Sequence, residues 1–480
     1  MPGLQVRTRS SGATELNVEA LGELEGRLGG STLRPGAAGY DQARTVHNAM
    51  HDRRPAIIVQ AAGVQEVIAA VEFARDRDLM LAVRGGGHSV AGFSTCDGGL
   101  VLDLRRMKAI EVDPERRTVR AAGGATWGDL DRATHAFGLA TTGGIVSTTG
   151  VAGLTLGGGM GYLIRRCGLS CDNLLSADVV LANGTLVTCS EKREPDLFWA
   201  IRGGGGNFGV VTAFEFRLHP VGDIFGGPTF FPIDGDVLRA YRDFILGAPE
   251  ELGALFAFTM APPLPFLPQE WHFKPVAAVV ACWTGALEDG EAVLAPLTKW
   301  GRVVGAYTAR MPYPALNSLF DEIGRAGLQQ YWKGNFVRTL TDEAVEAHLP
   351  HARRVPTVES GTFLFPLDGA CRRVSPDATA FAYRGAAFAT VISGAWPDPA
   401  DNQRNIAWVR DYYAALRPHS EEGGYVNFMT EDDGDRVRGN YGANYDRLAA
   451  LKARYDPENL FQLNQNIKPA ANRSSTSFRA

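Results

Sequence analysis

The sequence predicts an α+β protein of two lobes. From Pro55 onward, short apolar strands alternate with helices, and the segment 64–78 repeats its apolar residues at helical spacing. Glycine clusters fill the chain up to residue 209, whereas beyond Pro220 they stop and aromatic residues become more frequent. A length of 480 residues also suits more than one core. We therefore expect a glycine-rich α+β region at 1–220 and a second region, an antiparallel sheet flanked by helices, at 221–424.

The elements of the two lobes are predicted from periodicity and from turn residues. In the first lobe, strands are predicted at 56–59, 79–83, 99–104, 109–113, 118–123 and 209–220, helices at 64–78 and 126–138, and a hairpin at 176–190 that turns at Asn183-Gly184. In the second lobe, strands are predicted at 277–283 and 386–396, with helices at 407–418 and 444–461. The asparagine-rich segment 425–469 is expected to return to the first lobe, and 470–480 to form a flexible tail.

Composition excludes several classes of protein. Lys plus Arg number 48 and Asp plus Glu 53, so the net charge of -5 gives no basic excess for nucleic acid or an anionic membrane. We see neither an apolar run of transmembrane length nor a secretory signal, and the six cysteines are scattered. The chain is therefore predicted to be a cytoplasmic protein with reduced thiols, as a monomer or a homodimer.

The glycine clusters predict a large anionic ligand. They are "RGGGHSVAG" (84–92), "TTGGIVSTTGVAG" (141–153), "LGGGMGYL" (156–163) and "RGGGGNFG" (202–209). Backbone amides without neighbouring side chains can approach a pyrophosphate and donate to it. No G-x-x-x-x-G-K-[ST] motif is present, and "GGGMG" lacks the spacing and the place of a Rossmann fingerprint. The ligand that fits best is a dinucleotide bound by neither a P-loop nor a Rossmann fold. HExxH, a common zinc motif, is absent.

Three segments of the first region resemble one family. Residues 84–104, 141–184 and 196–220 resemble the FAD-binding domain of the vanillyl-alcohol oxidase/p-cresol methylhydroxylase (PCMH) superfamily. Residues 425–469 resemble the C-terminal signature of its berberine-bridge-enzyme branch, and the chain is similar in character to bacterial flavin oxidases of the 6-hydroxy-D-nicotine and aclacinomycin type. The resemblance implies a PCMH-type FAD-binding domain of two α+β subdomains, with its core at about 52–220. It also implies a substrate domain whose antiparallel sheet covers the isoalloxazine ring.

The resemblance implies that FAD is covalently attached through one residue. His88 aligns with the histidine that bonds to the 8α-methyl carbon of the flavin, and a neutral imidazole is nucleophilic near pH 7. Many relatives have a second tether, a cysteine, and Val146 stands at its position. Thr149 stands where valine admits O2 in the family, which favours an oxidase. Val90 and Leu154 replace residues of the bridge enzymes, so the bridge-forming reaction is not implied.

Other residues are assigned to the cofactor by the same resemblance. They are Arg84, Gly85, Gly86, Gly87, Ser89, Gly92, Gly143, Gly144, Gly150, Gly153, Gly157, Gly158, Gly161, Val210, Asn464 and Asn466.

The catalytic base is harder to assign. Plant relatives place a charged or amide side chain on the strand that here reads "AAFATVISGAW", where alternation puts Ala389, Val391 and Ser393 on one face, none of them a base. Tyr425 matches a tyrosine that faces the flavin in relatives, and Tyr383 stands where relatives often have histidine. These two tyrosines are the catalytic candidates, and the alternative is that they are packing residues of the sheet.

The reaction implied is hydride transfer from a C–H next to O or N to flavin N5, followed by reoxidation by O2 to give H2O2. The substrate would be a small or medium aromatic, alkaloid-like or polyketide-like molecule. Aromatic residues suited to such a pocket, or equally to a core, are Trp271, Phe273, Tyr331 and Trp332. Two alternatives stay open: an oligosaccharide or carbohydrate oxidase, and a flavin-binding protein without turnover.

Overall fold

The structure is a computed structural model that describes residues 3–10, 12–28 and 32–471. The predicted tail at 470–480 therefore lies, apart from its first two residues, outside the described residues. Two lobes are present, as the sequence predicts, and each is built on its own sheets.

Two main sheets form the first lobe. The four-stranded sheet has the spatial order Thr32–Leu33, Ile57–Gln60, Leu100–Asp103 and Leu81–Arg84, and its last three strands are parallel. The five-stranded sheet is antiparallel, in the order Leu186–Ser190, Leu174–Val180, Val210–Arg217, Thr118–Ala122 and Ile110–Asp113. Short strand pairs join Leu4–Arg7 to Ala13–Leu16 and Leu139–Ala140 to His219–Pro220.

The second lobe is one antiparallel sheet. Its spatial order is Gly305–Ala306, Asp223–Pro232, Pro275–Trp283, Leu252–Met260, Gly361–Pro366, Phe388–Trp396 and Gln329–Val337, with Ala309–Pro312 also pairing Asp223–Pro232. Side chains alternate between its faces. Phe256 and Phe258 pack with helices on one face, whereas Leu255 and Ala257 lie on the face toward the first lobe. We call this eight-stranded sheet the roof sheet.

The helices cover the outer surfaces of the sheets. In the first lobe they are Val18–Leu28, Tyr40–Arg44, Val64–Asp76, Trp127–His135, Val151–Leu156, Ile164–Cys167 and Pro195–Ala200. In the second lobe they are Gly235–Gly247, Gly290–Leu294, Tyr313–Asn317, Asp342–Ala352, Ala370–Arg373 and Asn402–Leu416. The C-terminal segment adds Val437–Tyr441 and Tyr445–Tyr455. Among the described residues, each helix is too short or too polar to cross a membrane.

Several predicted elements differ from the structure in their bounds; for example, the helix predicted at 407–418 is Asn402–Leu416. The predicted hairpin is present and Asn183 and Gly184 lie in its connection, but five residues rather than two join its strands, which end at Val180 and resume at Leu186. A hydrogen bond from the Leu181 amide to the Thr185 carbonyl closes this longer loop, in which Gly184 has a φ of 84°. The C-terminal helix, predicted to reach residue 461, ends at Tyr455.

The C-terminal segment packs into the first lobe. Tyr441 and Leu448 belong to the same hydrophobic core as Phe208, and Phe461 packs with the core under the four-stranded sheet. Lys452 and Asp456 pair inside this contact, where both side chains are fully buried.

Asp131 is buried at a contact between the lobes. It lies on the helix Trp127–His135 and accepts a hydrogen bond of 2.7 Å from Asn317 of the second lobe. Burial raises the pKa of this carboxyl to about 7. Its proton is therefore held more tightly in the folded chain than in the unfolded chain, where the pKa is about 3.9.

We expect Asp131→Asn to remove a pH dependence of stability. The stabilisation from protonated Asp131 is present below about pH 4 and is lost as the pH rises toward the folded pKa. The asparagine variant is expected to exceed wild type at pH 8 by roughly 1–4 kcal/mol in free energy of unfolding, and to match it near pH 4. Urea unfolding at both pH values measures this, and a variant less stable than wild type at pH 8 contradicts it.

Candidate active site

A cavity lies between the roof sheet and the glycine-rich loops of the first lobe. Its floor includes the loop that follows strand Leu81–Arg84, the loop before helix Val151–Leu156, and the strand Val210–Arg217. The C-terminal segment contributes Leu463, Asn464 and Gln465 to the cavity wall. All four glycine clusters of the first lobe therefore contribute residues to one site.

Backbone contact between two glycines shapes the floor. A Cβ atom on Gly86 would lie 2.3 Å from the Gly150 amide nitrogen, and one on Gly150 would lie 2.3 Å from the Gly86 nitrogen. Only residues without side chains allow the two loops to come this close. The next residue, Gly87, has a φ of 77°, which turns the chain so that it continues into His88.

His88 lines the cavity and is held by neighbours on both sides. Its Nε2 lies 3.0 Å from the Thr148 hydroxyl, and its Nδ1 lies 3.4 Å from the Thr149 hydroxyl. The His47 ring stacks on it with ring centroids 3.8 Å apart. Burial, and then repulsion from His47, hold the pKa of His88 well below its usual value. The imidazole is therefore neutral at physiological pH.

The orientation of His47 is fixed by two hydrogen bonds. Its Nε2 is 2.8 Å from the Gly324 carbonyl, which can only accept, so this nitrogen carries the proton. Its Nδ1 then accepts from the Gln330 amide at 3.0 Å. Since both nitrogens are engaged and burial lowers the pKa of His47, it is a neutral stacking partner.

Val146 lines the cavity beside a loop of the second lobe. A Cβ on Gly324 would contact Val146 at 3.5 Å, and Phe320 and Ile323 of the same loop also line the cavity. Asp321 accepts from the Ser147 amide at 2.8 Å and from the Ser147 hydroxyl at 2.5 Å. The loop 318–324 is thereby attached to the segment that carries Val146 and Thr149.

Tyr425 is in the cavity wall, but its hydroxyl is poorly suited to act as a base. The oxygen accepts hydrogen bonds from the Gly159 amide and the Asn427 amide, each at 2.8 Å. Burial raises the pKa of this phenol above its usual value. Tyr425 is therefore protonated at neutral pH, and its two hydrogen bonds fix its hydroxyl in the cavity wall.

Tyr383, the other catalytic candidate, does not line this cavity. Its ring stacks on Phe336 with centroids 4.6 Å apart, and its hydroxyl donates to the Gly439 carbonyl. Burial raises its pKa as well. The structure places Tyr383 as a packing residue in the core on the first-lobe face of the roof sheet, outside the cavity lining.

Arg84 is a structural residue rather than a ligand of the cavity. Its side chain is fully buried, donates to the carbonyls of Ala43, Arg44 and Ser94, and lies 3.7 Å from Asp103. It therefore holds the segment before residue 45 against the strand that leads to the glycine loop.

The other predicted cofactor residues separate into two groups. Those that line the cavity are Gly85, Gly86, Gly87, His88, Ser89, Gly144, Val146, Thr149, Gly150, Gly153, Val210 and Asn464. Those that lie behind its surface are Gly92, Gly143, Gly157, Gly158, Gly161 and Asn466. The second group serves packing: a Cβ on Gly143 would collide with Trp127, and one on Gly161 with the Gly143 carbonyl.

The roof sheet contributes an apolar surface. Val391, Ser393 and Ala395 line the cavity from one face of the strand Phe388–Trp396, and Ala389 of that face packs in the adjoining core. Trp332 lines it from the neighbouring strand, and its indole nitrogen is buried without a hydrogen-bond partner among the described residues. Of the four aromatic residues named from the sequence, only Trp332 reaches the cavity.

The remaining three aromatic residues lie elsewhere. Tyr331 points to the opposite face of its strand and packs with Trp408. Trp271 packs at the edge of a core beside Phe266, and Phe273 is 58% exposed. Because side chains alternate along a strand, Tyr331 and Trp332 could not both have lined the pocket.

Several cavity residues were not found from the sequence. They are His47, Phe320, Gln330, Glu359, Phe363, Asn427 and Phe428. Asn427 and Phe428 lie in the same short motif as Tyr425, so that motif was a signal for them. Single residues such as His47 and Glu359 carry no pattern, and only the fold brings them to the site.

The lining suits FAD. Backbone amides of the glycine loops can hold a pyrophosphate, and the neutral His88 lies beside them. Gln465 lines the cavity, and its side-chain nitrogen is a buried donor without a partner in the described part of the chain. In residues 3–10, 12–28 and 32–471, no group of three or more His, Cys, Asp or Glu side chains could hold a metal ion.

The chain matches two known families. Residues 55–190 match the FAD binding domain, and residues 424–468 match the berberine and berberine-like segment. An FAD-linked oxidoreductase of Dictyostelium discoideum is 34% identical over 469 residues, which cover 96% of this chain and 98% of the relative. The (R)-6-hydroxynicotine oxidase of Paenarthrobacter nicotinovorans is 31% identical over 462 residues, covering 92% and 97% of the two chains.

Solved structures have the same fold. The 6-hydroxy-D-nicotine oxidase of Arthrobacter nicotinovorans superposes with a TM-score of 0.81 at 29% identity, covering 91% of this chain and 97% of that one. A chitooligosaccharide oxidase has the same TM-score at 24% identity, with coverages of 93% and 100%, which shows the fold alone.

The chain belongs to the berberine-bridge-enzyme branch of the vanillyl-alcohol oxidase/PCMH superfamily. It is an FAD-dependent oxidoreductase, and the α+β fold expected from the resemblance is confirmed.

Proposed function

We propose that the protein is an oxidase whose FAD is covalently attached to His88 alone. The observation that carries this proposal is the neutral His88 imidazole, which lines the cavity beside the Gly86–Gly150 contact. A neutral imidazole has a lone pair available to attack the flavin 8α-methyl carbon, whereas a protonated one does not. The flavin, when bound, supplies hydride acceptance from a substrate C–H and reaction with O2.

Single attachment is supported by the residues around Val146. A valine side chain cannot form a thioether, and the loop 318–324 packs against it. All six cysteines are buried free thiols, and none lines the cavity. Burial raises the pKa of Cys167 to about 12, which keeps this thiol protonated and unreactive. His88 is therefore proposed as the sole tether.

The proposed substrate is a small or medium aromatic, alkaloid-like or polyketide-like molecule that carries a C–H next to O or N. Phe320, Trp332, Phe363 and Val391 give the substrate side of the cavity an apolar surface. Such a surface excludes water from the reacting carbon and favours an aromatic body. Thr149, similar in shape to valine, is proposed to leave O2 a path to the flavin.

A carbohydrate oxidase is the second candidate, favoured by the likeness to the chitooligosaccharide oxidase fold. A sugar needs many polar partners, and the apolar roof offers few. A protein that binds flavin without turnover is the third.

A substrate screen tests the proposal. The purified protein is mixed under air with 6-hydroxynicotine, 4-hydroxybenzyl alcohol and chitooligosaccharides, and peroxide is measured. We expect peroxide with at least one aromatic compound. Peroxide with the sugars alone would support a carbohydrate oxidase instead. If no compound of a broad panel bleaches the flavin under anaerobic conditions, the result would support flavin binding without turnover.

A further inference from the structure

The proposed oxidation needs a proton acceptor, and the assignment of that acceptor rests on the proposed function. When a carbon next to O or N gives up hydrogen with both electrons, the O–H or N–H proton of the substrate must leave as well. None of Ala389, Val391 and Ser393 on the roof strand can take a proton at neutral pH. The acceptor must therefore come from elsewhere in the cavity wall.

The other titratable groups of the wall are unsuitable. Tyr425 is protonated because burial raises its pKa, and its oxygen already accepts two hydrogen bonds. His47 has both ring nitrogens engaged, and His88 is committed to the flavin. Burial raises the pKa of Tyr441 too, and its hydroxyl contacts the carbonyls of Gly204 and Gln465.

Glu359 is the one carboxylate among the described residues that line the cavity. Its side chain is 10% exposed, and Arg325 lies 3.2 Å from its Oε1 atom. The Arg325 side chain is 47% exposed, so water screens this single ion pair. Arg325 is therefore a weak, solvent-screened partner of Glu359.

The loop that carries Glu359 is fixed to the end of the roof strand. The Ser360 hydroxyl accepts from the Ala395 amide and donates to its carbonyl, each at 3.0 Å, and Thr357 donates to the same carbonyl at 2.6 Å. Gly361 pairs in register with Ser393. Continuing this register puts Glu359 on the same face of the roof sheet as Val391, Ser393 and Ala395. The side chains of Ser360 and Thr357 hold its loop in position.

We propose that Glu359 is the catalytic base of the reductive half-reaction. The substrate C–H bond breaks and its hydrogen leaves with both electrons to the oxidised flavin. The proton of the adjacent O–H or N–H moves to the Glu359 carboxylate, and the electron pair it leaves forms the C=O or C=N bond of the product. The carboxyl group then releases the proton to water at the partly exposed end of the loop.

Anaerobic stopped-flow reduction of the flavin tests this base. The probe is whichever of 4-hydroxybenzyl alcohol and 6-hydroxynicotine the wild-type holoenzyme oxidises. Glu359→Gln is expected to slow reduction about 10²- to 10⁴-fold, the usual contribution of a general base. Reoxidation by O2 of the dithionite-reduced variant is expected to match wild type, since that half-reaction does not use the substrate proton. Glu322→Gln is the matched control, because Glu322 is exposed in the adjoining loop and does not line the cavity.

Two further readouts separate a base from a structural role. The rate of reduction in wild type is expected to fall at acid pH, and this fall should be absent in Glu359→Gln. Formate is expected to restore reduction in Glu359→Ala in proportion to its concentration. Reduction of Glu359→Gln within threefold of wild type overturns the assignment of the base. A wild-type enzyme that no compound of the panel reduces overturns the proposed function, and the base with it.

Discussion

His88→Ala is expected to lose all covalently bound flavin. Wild-type protein should stay yellow and fluorescent after denaturation on a gel, whereas the variant should release its flavin into the supernatant. The physical reason is that alanine leaves no nucleophile at the place where the two glycine loops bring the backbone to the cofactor. Flavin should still bind to the folded variant, because the glycine loops that line the cavity are unchanged.

The same variant is expected to be slower to take hydride from substrate. The proposed tether is expected to raise the flavin potential, and each 30 mV of potential corresponds to about a tenfold change in the equilibrium constant for two electrons. Cys167→Ala and Cys171→Ala serve as controls and should retain covalent flavin, since both thiols are buried in a core and neither lines the cavity. Covalent flavin on the His88→Ala protein would show that another residue is the tether.

Lys452→Met is expected to lower the free energy of unfolding by about 3–5 kcal/mol, the usual effect of removing one partner of a buried pair. Lys452 and Asp456 are 2.6 Å apart and both fully buried. The lysine also donates to the Asn207 carbonyl at 2.7 Å, next to the glycine loop of the cavity. Methionine would leave the Asp456 carboxylate uncompensated, with only the amides of Leu460 and Phe461 as donors.

Urea unfolding followed by tryptophan fluorescence measures this loss. Arg438→Met is the matched control, because its pair with Asp446 has side chains 65% and 77% exposed and is expected to contribute less than about 1 kcal/mol. Adding Asp456→Asn to Lys452→Met should recover part of the lost stability by removing the buried charge. Equal losses from the buried and the exposed pair would contradict the account of this contact.

The sequence predicted the first lobe well because its signals are local. Strand and helix periods, together with glycine clusters, placed the floor of the cavity, and the alternation of strand Phe388–Trp396 predicted which side chains face it. Arg84 shows the limit of this reasoning. It sits next to the glycines in sequence, but strand geometry points its side chain into the core rather than the cavity.

The substrate side of the cavity was the least predictable. It is built from the loop 318–324, from Glu359 and from Trp332, which are distant from the glycine clusters along the chain. Glu359 has no motif around it, and its position depends on Ser360 and Thr357 contacting Ala395. Tyr383 was assigned to the site by the family resemblance, yet it stacks on Phe336 and does not line the cavity. Such contacts follow from tertiary packing, which a single sequence does not display.

Peptide mapping of the yellow protein tests the central claim most directly. After proteolysis without reduction, mass spectrometry should find one flavin-bearing peptide, and fragmentation should place the flavin on His88. The Val146 peptide should carry no added mass. A single attachment at His88 would be contradicted by flavin on any other residue or on two residues. It would also be contradicted if protein that retained FAD during purification gave no flavin-bearing peptide.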